Sequence, residues 1–403
     1  MLNIWPPLPL LVYACDLEIL GMDNTIAALE RSDRVREISI NMSGPQSEKV
    51  WKAMEEPFPE LTFLELESTN ELGPVAALPN SFLGGSAPRL QTLILYDVPF
   101  PGLPKILLSA ANLAELSLGT DYPSGYISPE AMVTGFSALT RLERLFLGFG
   151  SSIPRPEKES IHLPPPTRSV LPALTRFKFK GASEYLDHLV ARIDVPRLND
   201  FSIIFYDHPD LHLPHLVQFI RRTPYSKAFE KAHIAVYFGS SVIVNLSSQT
   251  FDCGQLNLAI LDTVEPQISS LTQVCTSCLP ALPALEDLHI HGHRFGSMHV
   301  DQQSYIENHQ QWLRLLRPLI YVKNLYVSEG FVPSVVSTLQ GLIGGRTTEV
   351  LPVLQNIFLE GLQPSESVQE GIGQFVASRQ LTRYPVTVSF MDNVPENDRY
   401  HEF

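Results

Sequence analysis

Cysteine is scarce. Four in 403 residues cannot build the disulfide framework of a small secreted fold, so a reducing compartment, cytoplasm or nucleus, is the expected location. Positive charge is short too. Twenty-nine Lys and Arg face 43 Asp and Glu, for a formal charge of −14. That sign opposes phosphate neutralisation and argues against nucleic acid as a general partner. No run approaches about 18 uninterrupted apolar residues, so no membrane span or membrane partner is expected. The N-terminal MLNIWPPLPLLVYAC has the apolar look of a leader. It lacks a positive start, and Pro6, Pro7 and Pro9 interrupt it. Catalytic signatures are missing as well: there is no G-x-S-x-G, H-E-x-x-H or Walker-type glycine loop. Gly341-Leu-Ile-Gly344-Gly345-Arg346 lacks the Lys-Ser/Thr ending of a phosphate loop. The expectation is a protein that is not an enzyme and uses no cofactor.

What is abundant is proline, 33 residues spread along the chain rather than gathered in one linker. It accompanies a recurring phrase: apolar, two residues, apolar, one residue, apolar. Strong copies begin at Val35, Leu61, Leu90, Leu113, Leu142, Leu174, Leu198, Leu285, Val322 and Leu354. Weaker copies lie around Ile234/Val236, Leu258/Ile260 and Val386/Val388, where the first position is polar. The mean step is about 29 residues, at the long end of the leucine-rich-repeat range. Between copies, NTIAALERS, SEYLDHLVARI, LPHLVQFIRRT, QWLRLLRPL and SVVSTLQGLI carry helical spacing. Proline introduces many copies, as in FPELTFLEL, LPALTRFKF and LPVLQNIFL, and marks a helix-to-strand turn.

One such unit is not self-sufficient. Its three inward residues contribute roughly 5–9 kcal/mol if buried, while ordering each residue costs roughly 1–2 kcal/mol. Stacked units share a core. The expected fold is therefore α/β: a leucine-rich-repeat solenoid, or horseshoe, of about 12–13 irregular repeats, with a parallel concave sheet and convex helices. The expected organisation is an N-terminal capping segment over 1–32, the solenoid over 33–390, and a tail over 391–403. The Asn or Cys usual after the strand is missing; Thr69, Val98, Asp121, Gly150, Ala182, Tyr206 and Gly330 stand there. No continuous side-chain ladder is expected.

Side chains alternate along a strand, so the third, fifth and seventh positions of each copy face away from the core. Early copies place Glu37, Glu65, Glu67 and Glu115 there. The middle copies place Arg144, Phe146, Arg176, Lys178 and Lys180, and later ones His289, His291, Tyr326 and Phe358; of the later group, His289, His291 and Tyr326 are expected to meet a protein partner. Asp200 is expected beside Arg176, which would pair part of the basic group. The sharper reading makes Arg144, Arg176, Lys178 and Lys180, next to Phe146, a docking patch for an acidic segment of a protein partner. GSSIPRPEKESIHLPPPTRS, between two copies, reads as an exposed loop.

CTSCLPALPALEDLHIHGH, from Cys275 to His293, imitates a metal site. The repeat separates its parts. Leu288 and Ile290 point inward, His289 and His291 point to the concave face, and Cys275 and Cys278 fall on the covering helix. About 10 Å separates a sheet from its covering layer, whereas zinc bonds are about 2.0–2.3 Å. No metal is expected from the combined set, His293 is expected to stabilise a turn, and only His289 with His291 remains as a residual metal pair.

The run IWPPLPLLVY, then DNTIAALERSDRVREISI, then the proline-led leucine strands, resembles the fungal F-box/leucine-rich-repeat-like proteins expanded in mushroom-forming fungi. The resemblance covers nearly the whole chain from Asn3. It implies a repeat domain that selects a target, joined to an F-box that docks on a Skp1-type adaptor of a cullin ubiquitin ligase. An F-box would precede IWPPLP, and no such segment stands in these residues. Adaptor binding is therefore expected only if an F-box lies upstream of Met1. The implied function is a non-catalytic module with its protein target on the concave face; a ligase-independent scaffold or sensor is the alternative.

Overall fold

In the computed structural model, the residues described are 8–14, 19–42, 44, 47–68, 76–150, 168–206, 213–223, 229–237, 241–248, 254–261, 284–293, 309–342, 346, 348–360 and 366–391. All four cysteines and nearly all of the proline-rich loop lie outside them. The chain forms an α/β fold of two compact units, Met1–Asp200 and Phe201–Phe403. Among the described residues no helix is long and apolar enough to cross a membrane.

In the first unit, β1 (Leu10–Ala14), β2 (Val35–Met42), β3 (Phe63–Ser68), β4 (Thr92–Tyr96), β5 (Glu115–Thr120) and β6 (Arg144–Phe149) line up in chain order. Next come the two-residue β7 (Ser169–Val170), β8 (Arg176–Gly181), which joins β6, and β9 (Ile193–Asp194), which pairs with β7. Every pairing here is parallel. The helices between them are α1 (Ile19–Leu29), α2 (Ser47–Ala53), α3 (Leu103–Ser109), α4 (Pro129–Phe136) and α5 (Ser183–Val190). The segment expected to cap the solenoid thus carries a strand, β1, that extends the sheet.

Register explains the core. Leu64, Leu93, Leu116, Leu145 and Phe177 are direct neighbours across five strands, as are Leu66, Leu95, Leu118, Leu147 and Phe179. All ten are buried. Strand entry is also repeated. The N–H of Leu61, Leu90, Leu174, Leu198 or Leu354 donates to the carbonyl three residues back, on Phe58, Ala87, Leu171, Val195 or Leu351. Proline follows that carbonyl residue each time. It holds the φ that the second position of such a turn requires. The recurring proline is therefore built into the turn itself, beyond ending the preceding helix.

A second backbone device recurs between strands. The Thr62 carbonyl accepts from the N–H groups of both Gln91 and Thr92, at 2.8 and 3.1 Å. The carbonyls of Gln91, Ala114, Glu143 and Thr175 each take two consecutive N–H donors in the same way. In the second unit Glu230, Glu286 and Lys323 repeat it. These are equivalent positions of successive copies, so the sequence period is a structural period within each unit.

The second unit contains β10 (Asp200–Phe205, beginning at the last residue of the first unit), β11 (Lys231–Tyr237), β12 (Ser241–Ser247), β13 (Gln255–Leu261), β14 (Asp287–His293), β15 (Asn324–Val327), β16 (Asn356–Glu360) and β17 (Thr387–Met391). Its order is β10-β13-β12-β11-β14-β15-β16-β17. Helices α6 (Pro214–Arg222), α7 (His309–Leu316), α8 (Val332–Gln340) and α9 (Glu366–Leu381) accompany it. The expectation of an all-parallel sheet is corrected here: β12 runs antiparallel to both β11 and β13. Only residues 238–240 and 248–254 connect these strands. A parallel crossover needs roughly a dozen residues or more, so the short connections impose reversal.

Two weak copies shift by two residues. Ala232 and Ile234 pair with Leu288 and Ile290, so the copy runs Phe229, Ala232, Ile234. Val388 and Phe390 pair with Ile357 and Leu359, which moves the last copy likewise. A side-chain ladder also exists. Asn324 Nδ2 donates to Asp287 Oδ1 at 2.7 Å, and Asn356 Nδ2 donates to Asn324 Oδ1 at 2.8 Å. It runs at the third position of the copies, not after the strands, where its absence was expected.

Leu174 is fully buried and closes its turn. Leu174→Ala is expected to cost about 2–5 kcal/mol, whereas Pro172→Ala, which only frees the unfolded chain, costs about 0.4–1 kcal/mol. Urea unfolding of the two variants should reproduce that order.

Candidate functional site

The face opposite the apolar rows holds the residues the sequence singles out. In the first unit the third-position row reads Glu37, Phe63, Thr92, Glu115, Arg144, Arg176. The fifth reads Ser39, Glu65, Ile94, Ser117, Phe146, Lys178, and the seventh Asn41, Glu67, Tyr96, Gly119, Gly148, Lys180. Acidic groups thus gather on β2 and β3, aromatic rings in the middle, and cations on β6 and β8. At the acidic end, Ser39 Oγ donates to Glu65 at 2.7 Å and Asn41 Nδ2 to Glu67 at 3.3 Å.

The structure brings the basic residues together but does not make them equivalent. Arg144 Nη2 lies 2.6 Å from Glu115 Oε2 on the neighbouring strand. That hydrogen bond is the main reason its guanidinium is held above its ordinary pKa. Arg144 is therefore ion-paired to its neighbour while its side chain remains exposed on this face. Arg176 and Lys178 are exposed, and Lys180 is half-buried. Asp200 sits within their electrostatic reach; burial raises its pKa, while Lys178 first and Arg176 second pull it down. The expected neighbour of Arg176 is thus more strongly felt by Lys178.

Two glycines seat the aromatic rings. A Cβ at Gly119 would stand 2.5 Å from Cδ1 of Tyr96, and one at Gly148 would stand 2.9 Å from Cζ of Phe146. Each ring lies over the bare backbone of a neighbouring residue, and the two centroids are 6.2 Å apart. The Tyr96 hydroxyl is 2.7 Å from Ser117 Oγ. Sequence reasoning missed Tyr96, although its seventh position in the copy beginning at Leu90 puts it on this face.

In the second unit the fifth-position row is aromatic. His233, His289, Tyr326 and Phe358 are neighbours on β11, β14, β15 and β16. Their rings stack with centroid spacings of 4.2, 4.0 and 4.5 Å and planes within 15°. His291 follows two residues after His289 on the same face. It lies 6.0 Å from His233 and 5.9 Å from His289, ring to ring. His289 and His291 are only 8% and 6% exposed and His233 6%. The expectation that His289 and His291 stand open to a docked protein is corrected; Tyr326 is half-buried. His293 is the last residue of β14, opposite Tyr237, and so is a strand residue. Desolvation chiefly, then neighbouring histidines, lowers His233 to about 4 and His289 to about 2.

His233 was missed because its copy carries Ala232 where a large apolar residue is expected. The signal was the apolar first position at Phe229, which sets His233 in line with His289. No family model matches the chain, and no curated protein matches it.

Gly119→Ala is expected to evict the Tyr96 ring, break its bond to Ser117 and cost about 1–3 kcal/mol, measured by urea unfolding. The histidines set an acid response. Their folded-state pKa values lie below the ordinary 6.5, so at lower pH the unfolded chain binds more protons. That stability is present above about pH 6.5 and is lost as pH falls toward the folded values. His233 accounts for a loss on the order of 3 kcal/mol between pH 6.5 and 4. Comparing urea unfolding of His233→Phe with the parent across that window isolates it.

Proposed function

We propose that this chain is a non-catalytic protein-recognition module, a leucine-rich-repeat solenoid similar to the substrate-binding half of an F-box subunit of a cullin ubiquitin ligase. The repeat reading is supported by the recurrence of the same entry turn and the same two-donor carbonyl step through successive strands of each unit. The partner surface is the basic end of the strand face in the first unit.

One observation carries the assignment: exposed Arg176 and Lys178 stand beside Phe146, with Tyr96 next to it, and both rings are seated by glycines. Rigidly held aromatic surface supplies contact area at low entropic cost, and neighbouring cations supply orientation and on-rate. A protein segment rich in Asp and Glu that also carries an apolar side chain fits both parts. Arg144 serves this surface indirectly, since its link to Glu115 holds the third-position row in place.

Fluorescence anisotropy with a labelled poly-glutamate peptide, and a poly-lysine peptide as control, tests the reading. The acidic probe should bind, weaken as salt rises, and lose at least about tenfold in affinity in Arg176→Glu/Lys178→Glu, with a smaller loss in Arg144→Glu. Unchanged affinity in the double variant would sink the proposal.

A further inference from the structure

The three buried histidines of the second unit are an unusual group to place beneath a surface. His233 and His289 face each other in register on adjacent parallel strands, and His291 follows on the same face. One imidazole nitrogen from each lies within 4.8 Å of the other two. Among the described residues, Nδ1 of His233 and Nδ1 of His289 are buried with no hydrogen-bond partner. Opposite His233 on β12 stands Asn245, whose Oδ1 is also buried without one among the described residues. Three orphaned polar atoms therefore fall in one row across three strands. A buried polar atom left unpaired bears its whole desolvation cost, and chance does not favour three such neighbours.

We infer that His233, His289 and His291 form a binding site for a divalent transition-metal ion of the zinc, cobalt or copper class, with Asn245 Oδ1 as the adjacent oxygen donor. Neutral imidazole is the ligand form these metals take, and all three imidazoles are buried in one cluster. The next row, Ala235, Ile243 and Ala259, forms a buried apolar cluster beside His291, the kind of shell that limits water access. Tetrahedral ligands at about 2.0–2.1 Å stand about 3.3 Å apart, so the nitrogens, all within 4.8 Å of one another, must close by at most roughly 1.5 Å. Because the rings are nearly parallel, their lone pairs must also turn to one point. Both adjustments use χ2 of histidine, a broad torsion with a low cost. The ion would tie β11 to β14, whose sequence separation is bridged by β12, β13 and the chain that follows. The inference stands apart from the recognition reading, which concerns the first unit.

The test uses the full chain, purified without a histidine tag and stripped with EDTA. Titration with Co2+ should give one equivalent bound with the visible absorption of a tetrahedral or five-coordinate site, displaced by Zn2+. Affinity should fall at least about tenfold in each of His233→Asn, His289→Asn and His291→Asn, and remain unchanged in Cys275→Ser/Cys278→Ser. X-ray absorption of the zinc-loaded parent, which needs no variant to fold, should show imidazole scatterers and no sulfur. Failure of the folded parent to bind Co2+ or Zn2+, sulfur in the zinc shell, or loss of binding only in the double cysteine variant would each overturn the assignment.

Discussion

Everything on these sheets follows from two apolar rows held in register. When Leu64 meets Leu93 and Leu93 meets Leu116, the period of two places every intervening residue on the other face. A slip of one residue would turn Leu64 and Leu66 outward and carry Glu65 into the core, which is why the register is unambiguous. Where a carbonyl accepts two consecutive N–H groups at strand entry, as at Thr62, Gln91 and Ala114, it pins the starting point of the next strand. Strands about 4.8 Å apart then force equal positions of successive copies into contact. The aromatic stack and the Asp287-Asn324-Asn356 ladder are consequences of that spacing. Neither needs a local sequence motif of its own.

The antiparallel insertion tests this constraint. Reversing β12 destroys the parallel hydrogen-bond pattern, yet directly opposed residues still share a face. Asn257, Asn245, His233 and His289 therefore continue one row through two reversals. β12 carries Val242, Val244 and Leu246 toward one side and Ile243 toward the other, and all four are buried. A strand buried on both faces has no polar alternation for a periodicity search to find. That is why SVIVNLS is invisible as a copy, although its β-branched content suits a strand.

Legibility in the sequence tracks side-chain size. Copies with Leu or Phe at the second and third apolar positions form strands where their spacing predicts them, and NTIAALERS and SEYLDHLVARI fall largely within α1 and α5. The copy with Ala232 was displaced by two residues, because a methyl group carries little of the pattern while filling its position in the sheet. A displacement of two residues preserves the face, so alternation puts His289 and His291 on the observed side but leaves their neighbour His233 out of line. Burial was the other failure. Alternation tells which face a residue takes, but not whether that face is open. Arg379 shows the same limit: its guanidinium is fully buried and donates to the carbonyls of Leu351, Pro352 and Leu354. Those carbonyls belong to a turn whose Leu351 has φ 46°, and no spacing rule announces that need.

Burial also explains why the same fifth position carries different chemistry in the two units. On the open face of the first, Lys178 is exposed and solvated, so a charge costs little and a long polar side chain is tolerated. In the second, a lysine at position 233 or 289 would bring a charge into a buried row whose directly opposed described residues carry no carboxylate. Such a charge is prohibitively costly unless paired. Histidine resolves the conflict because it can be buried neutral and still present a lone pair, and its flat ring completes the stack onto Tyr326. A phenylalanine would stack equally well without leaving a nitrogen unsatisfied. Stacking alone therefore does not account for imidazoles at these positions, and their nitrogens are the part of the row that calls for a ligand.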